Sequence, residues 1–94
     1  MKLGIFSDVH GNYRNLELVL GKLREAQVDR IIFLGDMLGS FFFRKGNLPV
    51  ERDDLKCLDL MSEDSIVMMC GNHDTMGVRY LPESYRAVFN KRLH

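Results

Sequence analysis

Three short polar clusters hold the residues of this chain whose types and spacing could do chemistry. They are Ser7-Asp8-Val9-His10, Gly35-Asp36 and Gly71-Asn72-His73-Asp74. Carboxylate, imidazole and amide groups without thiolates suit manganese, iron or zinc in a reactive centre better than a structural zinc. If the fold brings the clusters together, they predict a site for divalent metal ions.

Each cluster follows or closes an apolar run of strand length. These runs predict three strands, at Leu3–Phe6, Arg30–Leu34 and Ile66–Cys70. All three runs are apolar at consecutive positions, which predicts that both faces of the sheet are buried.

Helical periodicity fills the intervals between the strands. It predicts one helix from Asn12, as N-cap, to Gln27, and another from Pro49 to Ser62. A short final helix is predicted around Pro82 to Phe89, and Met37 to Pro49 is predicted to be a long loop.

The order strand, helix, strand, helix, strand predicts an α/β fold with a parallel βαβαβ sheet and flanking helices. All three strands then point in the same direction. Since ligands bind at the carboxyl ends of parallel strands, the three polar clusters should converge on one edge of the sheet.

The residues suggest how metal ions would be shared at that edge. Asp8 and His10 are two positions apart and would project to the same face of an extended backbone, where they could hold one ion. Asp36 could bridge to a second ion, and Asn72 could offer that ion its carbonyl oxygen. Two ions about 3.5 to 4 Å apart can clamp a phosphoryl group and generate a hydroxide between them.

His73 and Asp74 are the candidate catalytic residues. His73 could protonate the leaving oxygen, and Asp74 could orient His73. The simpler alternatives are that Asp8 and Asp36 are helix N-caps or turn carboxylates, and that Gly71 supplies a positive φ in a polar turn.

The motifs Asp8-Val9-His10-Gly11-Asn12, Gly35-Asp36 and Gly71-Asn72-His73-Asp74 resemble the first three motifs of the calcineurin-like metallophosphoesterases. The order is the same, each motif follows a strand, and the resemblance covers Leu3 to Asp74. It implies the first half of that family's α/β/β/α sandwich and the hydrolysis of phosphate mono- or diesters by a hydroxide activated between two metal ions.

By the same resemblance, Asp8, His10 and Asp36 bind the first ion, and Asp36 and Asn72 bind the second. His73 acts on the substrate phosphate or leaving group. Manganese is the expected metal, with iron, zinc and nickel as alternatives. Asn12 and Arg44 are candidate substrate-binding residues, although Arg44 and Lys45 are also typical of a solvated charge pair.

The chain departs from the family after Asp74, because the family's second half supplies a further metal-binding histidine and a Gly-His-x-His motif. This sequence contains three histidines, which are His10, His73 and His94. We therefore expect residues 1–94 to form a single, truncated domain with partial metal loading, in which one site alone could be filled. We also expect a homo-oligomer or a complementary partner chain, and the alternative function is a catalytically impaired interaction or regulatory module.

Composition narrows the other classes of function. The 94 residues are 46% hydrophobic and 28% charged, as in an ordinary globular protein. Thirteen basic residues balance thirteen acidic ones, so no net field indicates nucleic acid or an anionic membrane. No signal-peptide or membrane-spanning run is expected, and two isolated cysteines indicate reduced thiols and a cytoplasmic protein.

Several side chains have two interpretations. Phe41 to Phe43 could wall a substrate site or form packing or an interface. Cys70 is favoured as a small buried hydrophobe over a ligand, and His94 as a frayed terminus over a ligand. Four methionines are predicted to be core residues: Met37, Met61, Met68 and Met69.

Overall fold

The computed structural model describes residues 1–39, 53–63 and 65–93. Strands and helices alternate along the chain, and a single turn of 3₁₀-helix at Val78–Tyr80 precedes the last helix. In chain order the elements are β1 (Leu3–Phe6), α1 (Tyr13–Glu25), β2 (Arg30–Phe33), α2 (Asp54–Leu60), β3 (Ile66–Met68), α3 (Asn72–Gly77) and α4 (Glu83–Arg92).

The three strands form a parallel sheet in the order β1-β2-β3. In β1 and β2, Phe6 lies beside Phe33, and Phe33 in turn lies beside Met68 of β3. The parallel α/β fold predicted from the sequence is confirmed. Since the strands run in the same direction in this register, their carboxyl ends form one edge.

Helix α1 begins where the sequence predicts it. The Asn12 side chain accepts a hydrogen bond from the Asn15 backbone N–H at 3.2 Å, as an N-cap does. The helix ends at Glu25, and Gln27 has left-handed backbone geometry, with φ 54°. A helix commonly ends one or two residues before such a residue.

Helix α2 is shorter than predicted within the part of the chain that the structure describes. It begins after Asp53, whose carboxylate accepts a hydrogen bond from the Lys56 backbone N–H at 3.0 Å. Asp53 supplies the capping acceptor that the sequence analysis missed. The predicted start at Pro49 lies outside the described residues, as do the predicted roles of Phe41 to Phe43.

Helices α1, α2 and α4 cover one face of the sheet. Their side chains pack with the inward residues of the strands in a core that includes Leu16, Leu20, Phe33, Cys57, Met61, Ile66, Met68 and Phe89. Leu23 of α1 occupies the space on this face where a Cβ at position 4 would lie, so the helix packs directly against the backbone of Gly4. The predicted burial of Met37, Met61 and Met68 is confirmed.

The opposite face of the sheet is apolar, and no helix of the described ranges covers it. Its exposed side chains include Leu3, Ile5 and, just beyond the strands, Leu34 and Met69, which are 45%, 55%, 51% and 41% exposed. The prediction that Met69 is a core residue is therefore wrong. In the single chain this face of the sheet is exposed, and its burial by a partner chain stays a prediction. The cause of the exposure is that the helices of the described ranges lie on the other side.

No helix among the described residues combines the length and the apolar character that a membrane crossing requires.

Candidate metal and phosphoester site

The loops after β1 and β2 are joined by backbone hydrogen bonds beyond the ends of the strands. The Asp8 N–H donates to the Gly35 carbonyl at 3.0 Å, and the His10 N–H donates to the Asp36 carbonyl at 3.0 Å. These bonds continue the β1–β2 pairing into the polar clusters. The first two motifs therefore lie side by side, as the parallel order predicts.

Three of the candidate ligands have left-handed backbone geometry. The φ angles of Asp8, His10 and Asp36 are 61°, 51° and 66°, and Gln27 is the other non-glycine residue with positive φ in the described ranges. Such a conformation costs on the order of 1–3 kcal/mol and is concentrated at functional sites. The assumption of an extended backbone from Asp8 to His10 is therefore wrong. The turns still bring Asp8 Oδ1 and His10 Nε2 to 3.2 Å.

Gly35 and Gly71 allow the ends of β2 and β3 to meet. A Cβ on Gly35 would lie 2.7 Å from the Gly71 backbone nitrogen. A Cβ on Gly71 would overlap the Asp36 carboxylate and lie 2.6 Å from the Asp36 backbone nitrogen. Gly71 has a φ of −98°, so the alternative of a positive φ there is wrong. Glycine is needed at position 71 because the Asp36 side chain occupies the space of a Cβ.

Asp74 connects two loops through backbone amides. Its Oδ2 accepts hydrogen bonds from the N–H groups of Asp36 at 2.8 Å and Gly71 at 3.0 Å, and its Oδ1 accepts one from Leu38 at 2.9 Å. The residue is 1% exposed. Burial raises the pKa of this carboxyl group, and the backbone N–H donors act in the opposite direction. Asp74 thus fixes the backbone that carries Asp36, and its predicted action on His73 stays a prediction.

Asp36 and His73 are held together by two contacts. The His73 backbone N–H donates to Asp36 Oδ1 at 2.9 Å, and His73 Nδ1 lies 3.6 Å from Asp36 Oδ2. The two side chains are 16% and 32% exposed, so they are partly shielded from water. The carboxylate of Asp36 and the ring of His73 therefore lie side by side at the edge of the sheet.

The ligand atoms of His10, Asp36 and His73 all lie within 4.8 Å of one another. The rings of His10 and His73 approach edge to face, with 4.5 Å between their centroids. Asp8 extends this group on its exposed side through its contact with His10. The Ser7 hydroxyl donates to Asp8 Oδ2 at 2.6 Å, and this hydrogen bond is the largest cause of the lowered pKa of Asp8.

The other candidate residues are placed differently. Asn72 is exposed and is the first residue of α3, next to His73. Its predicted role as a ligand of the second ion stays a prediction. Asn12 is 7% exposed and its side-chain oxygen caps α1, and its predicted role in substrate binding stays a prediction. Arg44 lies outside the described residues. Neither Asp8 nor Asp36 is a helix N-cap, since Asn12 and Asp53 cap the helices that follow.

Two features of this edge differ from the sequence-based interpretation. Cys70 is exposed rather than buried, because it lies two residues beyond the end of β3 at Met68. Helix α3 was not predicted, because it has six residues and no apolar periodicity. The feature of the sequence that could have indicated this helix is Asp74 at its third position. The Asp74 carboxylate accepts a hydrogen bond from the backbone N–H of Gly71, the N-cap residue, as in a capping box.

Comparison with known proteins agrees with this geometry. A family model described as calcineurin-like phosphoesterase matches residues 1–93. The chain is 30% identical over 87 residues to the serine/threonine-protein phosphatase 4 catalytic subunit of Kluyveromyces lactis, covering 93% of this chain and 27% of that protein. The same subunit of Eremothecium gossypii is 29% identical with the same coverage.

A solved structure of Yfce, a phosphoesterase from E. coli, has a similar fold. Its TM-score is 0.67 at 24% sequence identity, and the match covers 100% of this chain and 46% of that one. The chain therefore spans less than half of the solved structure, and 27% of the length of the two curated relatives.

Proposed function

This chain belongs to the calcineurin-like phosphoesterase family, and we propose that it is a metal-dependent hydrolase of phosphate mono- or diesters. The observation that carries the proposal is the convergence of three motifs at one sheet edge, where the ligand atoms of His10, Asp36 and His73 lie within 4.8 Å of one another. Membership of the family supports phosphoester chemistry. The metal dependence is supported by the donor set.

The donors fit divalent ions. Two imidazoles and a carboxylate, with a second carboxylate on Asp8 at 3.2 Å from His10, suit manganese, iron, zinc or nickel, and manganese remains the metal that we propose. We assign Asp8, His10 and Asp36 to one ion and Asp36 with Asn72 to a second. Divalent ions bound there would supply Lewis acidity and lower the pKa of water.

The residues around these donors position them before any substrate binds. Asp74 holds the Asp36 backbone through an N–H group at 2.8 Å, and Gly71 leaves room for the Asp36 carboxylate. The Asp36 carboxylate also accepts a hydrogen bond from the His73 backbone N–H, which joins the second and third motifs. Preorganisation of this kind reduces the cost of arranging charges when the reaction occurs.

His73 is the proposed proton donor to the leaving oxygen. Its Nδ1 faces Asp36, with 3.6 Å between Nδ1 and Oδ2. We therefore assign the proton transfer to Nε2. A general acid of this kind typically contributes 10² to 10⁴-fold to the rate.

Hydrolysis of p-nitrophenyl phosphate and of bis(p-nitrophenyl) phosphate with added Mn²⁺ tests the proposal. We expect Asp36→Ala to lose about 100-fold or more of the rate, because its carboxylate serves both ions. The matched control is Asp59→Ala, a change of an exposed carboxylate of α2 that hydrogen-bonds to Tyr85. Equal rates for the wild type and Asp36→Ala would remove the catalytic proposal.

A second candidate function is favoured by the uncovered sheet face. Leu3, Ile5, Leu34 and Met69 expose 41–55% of their surface on one side of the sheet, beside the site. Apolar side chains grouped in this way mark an interaction surface. We propose that a homo-oligomer or a complementary partner chain covers this face, with the chain acting as an interaction or regulatory module.

Sedimentation equilibrium from micromolar to millimolar concentration tests self-association. Ile5→Lys should reduce it, because the lysine would place a charge in the apolar face. Leu18→Lys is the control, since Leu18 is a 64% exposed leucine of α1 on the helical side. A monomer at every concentration would exclude the homo-oligomer and leave the complementary partner to be tested by co-expression. Both cysteines are free, which supports a reducing, cytoplasmic location as a further proposal.

A further inference from the structure

A cavity of about 330 Å³ lies between α2 and α4, and the proposed function does not use it. We propose that this cavity binds a small organic amine, with the apolar part of the amine inside and its ammonium group against Asp59. The site goes beyond the proposed function, because none of its residues belongs to the metal site at the edge of the sheet.

The walls of the cavity are mainly apolar. Met68 of β3 and Phe89 of α4 form its inner side and are 1% and 2% exposed, whereas Val88 is 59% exposed and lies at the mouth. Small-molecule sites are typically cavities of about 300 to 1,000 Å³ with apolar walls and a few polar groups. A cavity at the lower end of that range suits a ligand with one ring or a short alkyl chain.

A carboxylate supplies the polar anchor. Asp59 is an exposed residue of α2 that lines the cavity, and its two oxygens lie 3.0 and 3.3 Å from the Tyr85 hydroxyl that donates to them. This hydrogen bond holds the carboxylate at the wall. A carboxylate can accept about four hydrogen bonds, and Tyr85 supplies one donor. The remaining positions suit an ammonium group, which carries the opposite charge and three N–H donors.

Arg92 is the other charged residue that lines the cavity within the described part of the chain. Its guanidinium group donates to the backbone carbonyl oxygens of Met61, Glu63 and Ile66, the last two at 2.7 and 3.0 Å. Three of about five N–H donors are therefore used by the protein itself. An anion would find few donors in the cavity and would be repelled by Asp59, so the lining favours a cation.

Titration of the 94-residue chain with 2-phenylethylamine and with 2-phenylethanol, followed by NMR, tests the site. The two probes have the same ring and chain, but the amine is protonated at neutral pH. We expect both probes to shift the methyl signals of Leu58, Met68 and Val88, which line the cavity. The amine should bind about two- to fivefold more tightly than the alcohol, which is the range of one solvent-exposed ion pair.

Two variants separate the charge from the shape of the cavity. Asp59→Asn should remove the preference for the amine and leave the affinity for the alcohol unchanged, because the amide has a similar size and no charge. Glu17→Gln is the matched control, since it removes an exposed carboxylate of α1 outside the cavity. Val88→Trp should weaken the binding of both probes, because the larger side chain would occupy the mouth.

Equal affinity of the wild type for the two probes would overturn the inference, and so would shifts confined to residues outside the cavity. Methyl shifts that depend on protein concentration without a probe would overturn it as well, because a second copy of the chain would then fill the cavity. These outcomes are read from the wild type, so they hold even if a variant fails to fold. The hydrolysis assay and its Asp59→Ala control contain neither probe, so a failure of the proposed function would leave this inference standing.

Discussion

Gly71→Ala tests whether close packing of β3 against Asp36 builds the site. The added Cβ would lie 2.6 Å from the Asp36 backbone nitrogen and 2.7 Å from its Cγ. Both are well inside ordinary contact distance. Rotation of a side chain cannot relieve the contact with the backbone nitrogen. The Asp36 N–H donates to the Asp74 carboxylate, and the Asp36 carbonyl accepts a hydrogen bond from the His10 N–H, so the backbone at Asp36 is held in place.

The expected loss of stability follows from these contacts. Overpacking costs about 1 to 3 kcal/mol, and a contact with backbone belongs at the upper end. The alanine recovers about 0.4 to 1 kcal/mol by restricting the unfolded chain, and the native φ of −98° suits it. The net loss should be about 2 kcal/mol, a large part of the roughly 5 to 14 kcal/mol expected for a domain of this size.

Urea denaturation followed by circular dichroism measures the effect. With a slope of about 1 to 1.5 kcal/mol per molar for a small domain, the midpoint should fall by roughly 1 to 2 M. Zn²⁺ affinity should fall as well, because the Asp36 carboxylate is displaced. The matched control is Gly21→Ala in α1, where a Cβ would meet nothing within 4 Å. We expect that variant to gain about 0.5 to 1 kcal/mol. If both variants have the same midpoint, or if Gly71→Ala binds Zn²⁺ like the wild type, the packing argument is refuted.

Three further predictions concern single side chains. Asp74→Asn should lower the free energy of unfolding by about 2 to 3 kcal/mol, because the side-chain NH₂ group would face a backbone N–H that has lost its acceptor. Hydrogen exchange should become faster at the backbone amides of Asp36, Leu38 and Gly71, and unaltered exchange would contradict this prediction. Asp8→Gly and Gln27→Gly should each raise the free energy of unfolding by up to about 1 kcal/mol, because glycine adopts a positive φ without strain. Asp8→Gly alone should weaken metal binding in calorimetry, and equal metal affinity of the two variants would contradict the role of Asp8. Asp59→Asn should lower the Tyr85 pKa towards its ordinary value of 10.0, since the carboxylate at 3.0 Å accepts the hydroxyl proton and raises that pKa. With the folded pKa raised, this contribution to stability is complete below about pH 10 and is lost as the pH rises through the raised value; an NMR titration without a shift would count against it.

The local sequence predicted the order of the elements and the place of the polar clusters. Consecutive apolar residues such as Ile31 and Ile32 indicate a strand, and leucines at helical spacing indicate α1. Parallel crossovers then require that the polar ends of the strands share one edge. For that reason the convergence of the three polar clusters on one edge of the sheet could be inferred from the sequence.

The tertiary structure decided what depends on contacts between distant segments. Asp74 is 36 positions from Leu38 and yet bonds its amide. No local pattern records such a contact, and the exposure of Met69 likewise depends on which side of the sheet the helices occupy.

The pairing of His73 with Asp36 shows the same limit at the site. Sequence alone determined that an imidazole and a carboxylate follow β3 and β2, because strand propensity and motif spacing are local properties. Only the fold decided that the His73 ring lies near Asp36 and His10, because that arrangement requires glycine at position 71 and left-handed turns at Asp36 and His10. Distances between side chains on separate strands arise when the strands pack, and so the position of the His73 ring beside Asp36 and His10 was decided by the tertiary structure.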